Sequence, residues 1–256
     1  MKTVITFSGG LDSTTLLYQL LQDDDEVLAL SVDYGQRHRV ELERATKIVE
    51  VLGIRHEIAD LRPIANLLGG SSQTDDSIAV PLGHYEAESM KQTVVPNRNM
   101  ILLSLAAAWA IAEKADAVAY AAHAGDHAIY PDCRSEFAEA LGGAISLADW
   151  HEVKLLRPFV DKTKMEIAGL AGDLGVPVEL TWSCYQAGPL HCGACGTCIE
   201  RREALLLAEL DDPTEYDNLA PALTRDESGL FTIDWKKTIA GEEMPPERRQ
   251  EAGEPA

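Results

Sequence analysis

A short apolar run, Val4-Ile5-Thr6-Phe7, leads directly into Ser8-Gly9-Gly10-Leu11-Asp12-Ser13, and that turn opens onto helix-like spacing in Thr14-Thr15-Leu16-Leu17-Tyr18-Gln19-Leu20-Leu21. Strand, glycine turn and helix in this order aim free backbone N–H groups at one point, where a phosphate is received. Gly9 and Gly10 permit backbone conformations and approaches that a Cβ would block. Ser8 and Ser13 add hydroxyl donors, Leu11 adds a backbone donor, and Asp12 is placed to orient a magnesium ion. The spacing is not that of a Walker A loop, which needs G-x-x-x-x-G-K-[ST].

The same alternation continues along the chain. Residues 26–32 read as a second strand and 40–52 as a helix that Gly53 ends, with Val40, Ala45, Ile48, Val49 and Leu52 on one face. Residues 55–60 read as a third strand. Residues 61–95 are polar, lack clear periodicity, and are expected to pass over the mouth of the site. Asn97 is expected to cap a buried, alanine-rich helix over 98–113. A strand over 117–120, a helix over 135–148, a strand near 154–156 and helices over 163–174 and 199–209 complete the pattern. It predicts a doubly wound parallel α/β sheet.

At 256 residues the chain is long enough for one large domain with a small appendage. We expect a nucleotide domain over 1–180, a metal-binding segment with its helix over 181–220, and an acidic extension over 221–256. Within that extension, Leu230–Trp235 can dock as a strand or lie on the surface, and 240–256 is expected to be disordered. No apolar run nears the roughly 18 residues that span a membrane. The N-terminus reads as a strand rather than a secretory leader, so a cytoplasmic location is expected. The charge balance is 42 acidic against 22 basic residues, net −20. Backbone binding to nucleic acid needs a basic face, which this balance opposes. Arginine outnumbers lysine, 13 to 9, which favours a protein suited to a high-salt cytoplasm over a merely well-solvated one.

Four of five cysteines fall within 15 residues, as Cys184-x7-Cys192-x2-Cys195-x2-Cys198. Clustering of this kind in a cytoplasmic chain points to metal rather than disulfides. Four soft, local ligands favour a closed structural zinc site over an iron–sulfur cluster. Gly193 and Gly196 place small residues in the turns, where N–H groups approach sulfur. His191 is expected beside the site rather than in it, and Cys133 is expected to be a packed thiol.

Other candidates lie where strands end. Asp33-Tyr34-Gly35-Gln36-Arg37-His38 follows the second strand, where ligands collect in doubly wound sheets. Val95-Pro96-Asn97-Arg98-Asn99 opens a helix, and Arg98 there suits an anion. Asp126 and Asp132 are placed to pair with ring N–H groups of a purine-like substrate, and Arg134 to hold a carboxylate. Lys162 and Lys164, at a helix start, are the candidates to neutralise phosphate, since the first loop has no lysine.

These segments, with Thr181-Trp182-Ser183-Cys184-Tyr185 and Tyr130-Pro131-Asp132-Cys133-Arg134, resemble the 7-cyano-7-deazaguanine synthases of the ATP pyrophosphatase (PP-loop) superfamily. The likeness covers roughly residues 1–220. Two stretches depart from it: 123–129, and the tail beyond about 220. The resemblance implies an adenine nucleotide alpha hydrolase-like fold. It also implies ligation of 7-carboxy-7-deazaguanine with ammonia, driven by ATP through adenylated acid and amide intermediates, releasing AMP and pyrophosphate. Implied roles are catalysis for Asp12, Ser13, Lys162 and Lys164, and nucleotide binding for Ser8–Ser13, Asp33 and Arg98. Asp126, Asp132 and Arg134 take the substrate, and the four cysteines take zinc. Such a protein works in queuosine or archaeosine precursor synthesis with small-molecule partners, and a homodimer is compatible with it. No glutaminase constellation is visible, so nitrogen comes as free ammonia or from a partner. The competing readings are a tRNA-thiolating pyrophosphatase, opposed by the acidity, and a zinc-ribbon binding module, opposed by the intact loop.

Because salt shortens the screening length from roughly 10 Å at 0.1 M to about 3 Å at 1 M, molar potassium chloride should raise the melting temperature. A melt that is flat or falls across that range would mean the acidity only solubilises.

Overall fold

The computed structural model describes residues 1–217 and the backbone of two further short strands, Leu223–Arg225 and Phe231–Ile233. Five parallel strands form the central sheet: β1 (Lys2–Thr6), β2 (Glu26–Asp33), β3 (Arg55–Asp60), β4 (Ala117–Ala119) and β5 (Lys154–Leu156). Their spatial order is β3-β2-β1-β4-β5. The chain first builds outward from β1 in one direction, then returns to its other side. The strand order therefore reverses between β1 and β4, and a crevice opens beyond their carboxyl ends.

Helices cover both faces, because strands buried on both sides need apolar partners on both. Alternation along the strands decides which residues face which layer. Ile5, Phe7, Val27, Ala29 and Ala119 pack with α1 (Leu11–Gln22), α2 (Val40–Leu52) and α5 (Lys164–Asp173). Val4, Leu28, Leu30, Val32 and Val118 face the other way, onto α3 (Arg98–Ala112) and α4 (Ser135–Ser146). In α3 the buried residues are Leu103, Ala106, Ala107 and Ala110. Around them Ile101, Leu102, Leu105, Trp109 and Ile111 are partly buried against the same core, so the helix is apolar but not wholly buried.

The expected element pattern is present, with local corrections. Helix α1 begins at Leu11, inside the glycine turn rather than after it. Leu42 is a buried residue of α2, whereas Val40 and Leu52 are only half-buried. Asn97 stands at the cap position of α3 but makes no capping bond, and its backbone is left-handed (φ 57°). Asp132 does that work instead, accepting from the Asn99 N–H at 3.0 Å. Thr163 caps α5 reciprocally with Glu166. The final helix, α6 (Gly196–Leu207), starts three residues earlier than predicted, on the last turn of the cysteine cluster.

Strands β6 (Leu223–Arg225) and β7 (Phe231–Ile233) pair antiparallel with each other and not with the main sheet. The disorder expected over 240–256 lies outside the described residues.

Gly9 fixes how the first loop sits. Its φ is +78°, and a Cβ there would lie 2.6 Å from the Ala45 nitrogen and 2.7 Å from the Glu41 carbonyl oxygen of α2. Gly9→Ala should therefore cost about 2 kcal/mol or more, from left-handed strain plus overpacking. Gly143, in α4 with nothing within 4 Å of its would-be Cβ, is the control; alanine there should stabilise by about 0.5–1 kcal/mol. Urea unfolding of both variants checks the contrast.

Candidate active site

At the crevice between β1 and β4 lies a cavity of about 240 Å³. Its two ends differ in chemistry. One end is the first loop with its counter-charge. Ser8, Gly10, Leu11, Asp12 and Ser13 line it, together with Lys164 from the first turn of α5. The Ser8 and Ser13 hydroxyls lie 3.1 Å apart. Lys164 Nζ donates to Asp12 Oδ2 at 2.6 Å and lies 3.3 Å from Glu200 Oε2. A cation at the start of a helix runs against the dipole, and these carboxylates supply the negative charge that holds it there. Burial lowers the Lys164 pKa, but Asp12 and Glu200 outweigh it and leave the ammonium firmly protonated. Burial likewise pushes Asp12 up, and Lys164 and His123 more than offset that, so its carboxyl ends below the usual range. Its other oxygen, Oδ1, is buried with no hydrogen-bond partner among the described residues.

His123 closes this end. Its Nδ1 accepts from the Gly125 N–H at 3.1 Å, so Nε2 carries the proton. That nitrogen sits 3.6 Å from Asp126 and 3.9 Å from both Asp12 and Glu200. Glu200 is the poorly compensated member: burial raises its pKa, Lys164 and His123 lower it, and Asp126 and Asp12 raise it again, for a net rise.

The other end is aromatic. Tyr34, Tyr85, Tyr130 and Tyr185 line it with Arg98. Burial raises the pKa of all four phenols, so they face the cavity as neutral hydroxyls. The Tyr130 and Tyr185 hydroxyls lie 3.3 Å apart, and Tyr85 O–H donates to Asp126 Oδ1 at 2.8 Å, joining the two ends. The Arg98 guanidinium lies 6.0 Å from the Tyr130 ring centre and makes one long contact, 3.5 Å, to the Tyr34 hydroxyl. It has no carboxylate within ion-pair distance among the described residues. A guanidinium in this setting is an anion receptor. The arrangement can thus hold a polyanion at one end and a planar, anionic ring system at the other.

Of the residues singled out in the sequence, Ser8, Gly10, Leu11, Asp12, Ser13, Arg98, Asp126 and Lys164 meet in this cavity. Gly9 shapes the loop from behind. Asp33 is turned away: it pairs with Arg39 at 2.8 Å and Arg62 at 3.6 Å. Asp132 caps α3, Arg134 Nε donates to the His127 carbonyl at 2.9 Å, and neither lines the cavity. Lys162 does not line the cavity either, which singles out Lys164. Cys133 lines the wall as a buried thiol whose pKa burial pushes well up, as a packed cysteine should. Sequence reasoning missed His123 and Glu200, and named Tyr34, Tyr130, Tyr185 and His38 only inside longer segments.

The four cysteine sulfurs lie within 4.8 Å of one another. A tetrahedral ion with bonds of about 2.3 Å sets its sulfurs about 3.8 Å apart, and Cys192 and Cys198 are already at 3.9 Å. Backbone N–H groups of Gln186 and Cys192 point at the Cys184 sulfur, and those of Ala194 and Cys195 at the Cys192 sulfur. Gly193 turns the chain between them at φ +75°. The donor set therefore fits a closed metal site. His191 stands outside it, accepting from the Ser183 N–H at 3.1 Å; burial, with Arg201 nearby, pushes its pKa down to about 3.

A doubly wound sheet with a glycine loop at its switch point defines a nucleotide-binding α/β protein. The chain belongs to the family of queuosine biosynthesis protein QueC, which matches residues 2–209. A 7-cyano-7-deazaguanine synthase from Hahella chejuensis is 51% identical over 218 residues, covering 85% of this chain and 94% of that protein. One from Brucella ovis is 50% identical over 220 residues with the same coverage. Among solved structures, the tRNA thiolase NcsA of Methanococcus maripaludis aligns with a TM-score of 0.46 at 19% identity, covering 86% of this chain and 75% of that one.

Lys164→Met removes the one lysine from a cluster of three carboxylates. We expect a loss of about 3–5 kcal/mol at pH 7, as when one partner of a buried pair is deleted. Without the cation the carboxylate pKa values rise above their unfolded values. The loss should therefore shrink as pH falls through them. Lys162→Met should cost little at any pH. Urea unfolding at pH 4 and 7 measures both.

Proposed function

We propose that this protein is an ATP-dependent carbon–nitrogen ligase that converts 7-carboxy-7-deazaguanine and ammonia into 7-cyano-7-deazaguanine. Family membership supports the reading, and one observation carries it. The glycine loop, with Lys164 on Asp12, shares a cavity with an aromatic wall and an arginine that has no internal anion. A nucleotide triphosphate suits the first end, and a flat deazapurine bearing a carboxylate suits the second.

The chemistry needs both. A carboxylate is a poor electrophile because its leaving group would be oxide. Its attack on the α-phosphorus of ATP releases pyrophosphate and forms an acyl adenylate, which ammonia converts to the amide. Adenylation of the amide oxygen then permits loss of AMP and formation of the nitrile. Ser8, Gly10 and Ser13 hold phosphate oxygens in this reading. Lys164 neutralises the charge that develops as pyrophosphate leaves. The unpartnered Asp12 Oδ1 is the natural ligand for the magnesium of the nucleotide. Arg98 anchors the acid, and Asp126 faces its ring. The reading carries small-molecule partners only, and places the work in queuosine precursor synthesis in the cytoplasm.

Zinc is the metal we assign to Cys184, Cys192, Cys195 and Cys198. Four thiolates leave no open position, so the role of the ion is structural. It fixes the segment that brings Trp182, Ser183, Tyr185 and Glu200 to the cavity. The segment thereby completes the wall of the site.

One set of measurements tests this. Purified protein should contain one zinc per chain, and should release AMP and pyrophosphate only when the deazaguanine acid is present. Asp12→Asn and Lys164→Met should lower turnover by about 100-fold or more, and Lys162→Met by less than a few-fold. Cys192→Ala should lose metal and fold together. Turnover that depends on tRNA instead of the acid, or iron with acid-labile sulfide in place of zinc, would overturn the corresponding part.

A further inference from the structure

The loop after β2 carries a hydrogen-bonded chain that the phosphate end of the cavity does not use. Gln36 is buried and locked at both ends of its amide. Its Oε1 accepts from the Tyr34 N–H at 3.0 Å, and its Nε2 donates to the Val32 carbonyl at 3.1 Å and to Glu41 Oε1 at 2.9 Å. The second Glu41 oxygen, Oε2, lies 3.3 Å from His38 Nε2. A carboxylate oxygen facing Nε2 favours the tautomer with the ring proton on Nε2 and the lone pair on Nδ1. His38 is only 4% exposed, and both it and Glu41 line the cavity. Its Nδ1 is buried with no hydrogen-bond partner among the described residues. The Tyr185 ring stands beside it, with ring centres 5.4 Å apart. A buried acceptor left unpaired is costly and persists where a ligand brings the donor.

A base held by a carboxylate, which is itself held by a third group, is the arrangement that orients a proton acceptor. We propose that His38 Nδ1 is the base that takes protons from nitrogen during ligation, with Glu41 and Gln36 as positioning residues. The proposal rests on the ligase reading, and the chemistry requires such a base. Ammonia carries three protons and a nitrile nitrogen carries none. In the first stage the ammonia lone pair attacks the acyl carbon of the adenylate and leaves a tetrahedral ammonium. His38 takes one proton, and the carbon–oxygen bond to AMP breaks with its electrons going to AMP. The products are amide, AMP and imidazolium, which gives its proton to water. In the second stage the amide oxygen displaces pyrophosphate from ATP. Two nitrogen protons then leave in succession to the same base, and the carbon–oxygen bond to AMP breaks as the nitrile forms.

His123, the other imidazole on the cavity wall, does not have this capacity. Its Nδ1 is already occupied by the Gly125 N–H, and its Nε2 lies among carboxylates. Lys164 is held protonated.

The test is a partition within one enzyme. Exchange of labelled pyrophosphate into ATP, dependent on the deazaguanine acid and run without ammonia, reports adenylation of the acid. That step removes no nitrogen proton. Amide release with ammonia present reports the step that does. In His38→Asn, amide release should fall at least about 100-fold more than exchange. Glu41→Gln keeps the size of the side chain. Because Gln36 can only donate to its oxygen, its own amide must donate to His38 Nε2, which forces the ring proton onto Nδ1. The same imbalance is expected there. If the two rates fall together in both variants, with circular dichroism unchanged, or if neither falls, His38 is not the base. Absence of acid-dependent exchange in the unaltered protein would instead overturn the ligase reading itself.

Discussion

Residue 9 has no room for a side chain, and the placement of the site follows from that contact. The loop lies so close to α2 that only glycine fits against the Ala45 nitrogen. Held there, the Gly9 carbonyl accepts from the Trp182 N–H at 2.9 Å. The Trp182 ring N–H in turn donates to the Cys184 carbonyl at 2.9 Å. The phosphate end of the cavity and the cysteine cluster are thus joined through two hydrogen bonds and one side chain. Arg201, fully buried on α6, extends the connection by donating to Thr181, Ser183, the Val178 carbonyl and Thr214. A buried guanidinium is tolerated only when its donors are met, and here it fastens α6 to the segment that carries the first cysteine.

Charge in the cavity is arranged on the same economical principle. One lysine serves Asp12 and Glu200, and one imidazole N–H faces three carboxylates. The cluster keeps an excess of negative charge that a bound cation relieves, while Arg98, across the cavity, lacks the negative charge that a bound acid would bring. The two ends therefore ask for ligands of opposite local character. An enzyme that joins a metal nucleotide to a carboxylate has to satisfy such a pair of demands.

Most of the fold was legible because parallel strands buried on both faces leave long apolar runs, and glycines mark their ends. The loop residues were legible because strand, glycine turn and helix are consecutive. Side chains whose role depends on distant packing were not. Asp132 and Asp126 lie six residues apart on a polar stretch, and nothing local tells which one caps a helix and which one faces the cavity. Glu200 and Arg201 read as ordinary charges on a helix surface. A signal did exist: Cys198, Arg201 and Leu205 follow helical spacing of three and four, which points Arg201 inward. The stretch 123–129 supplies His123 and Asp126 to the cavity wall.

The pairing of Asp12 with Lys164 spans 152 residues of chain, and this has a consequence for how the protein is made. At roughly 5–20 residues per second, the ribosome makes the glycine loop about eight to thirty seconds before its lysine exists. Trp182 and Glu200 emerge later still. The first three strands and their two helices are finished long before that, so the nascent protein has its scaffold but no counter-charge in the loop. The site is therefore whole only once α5 and α6 have been made, because Lys164 and Glu200 come from them.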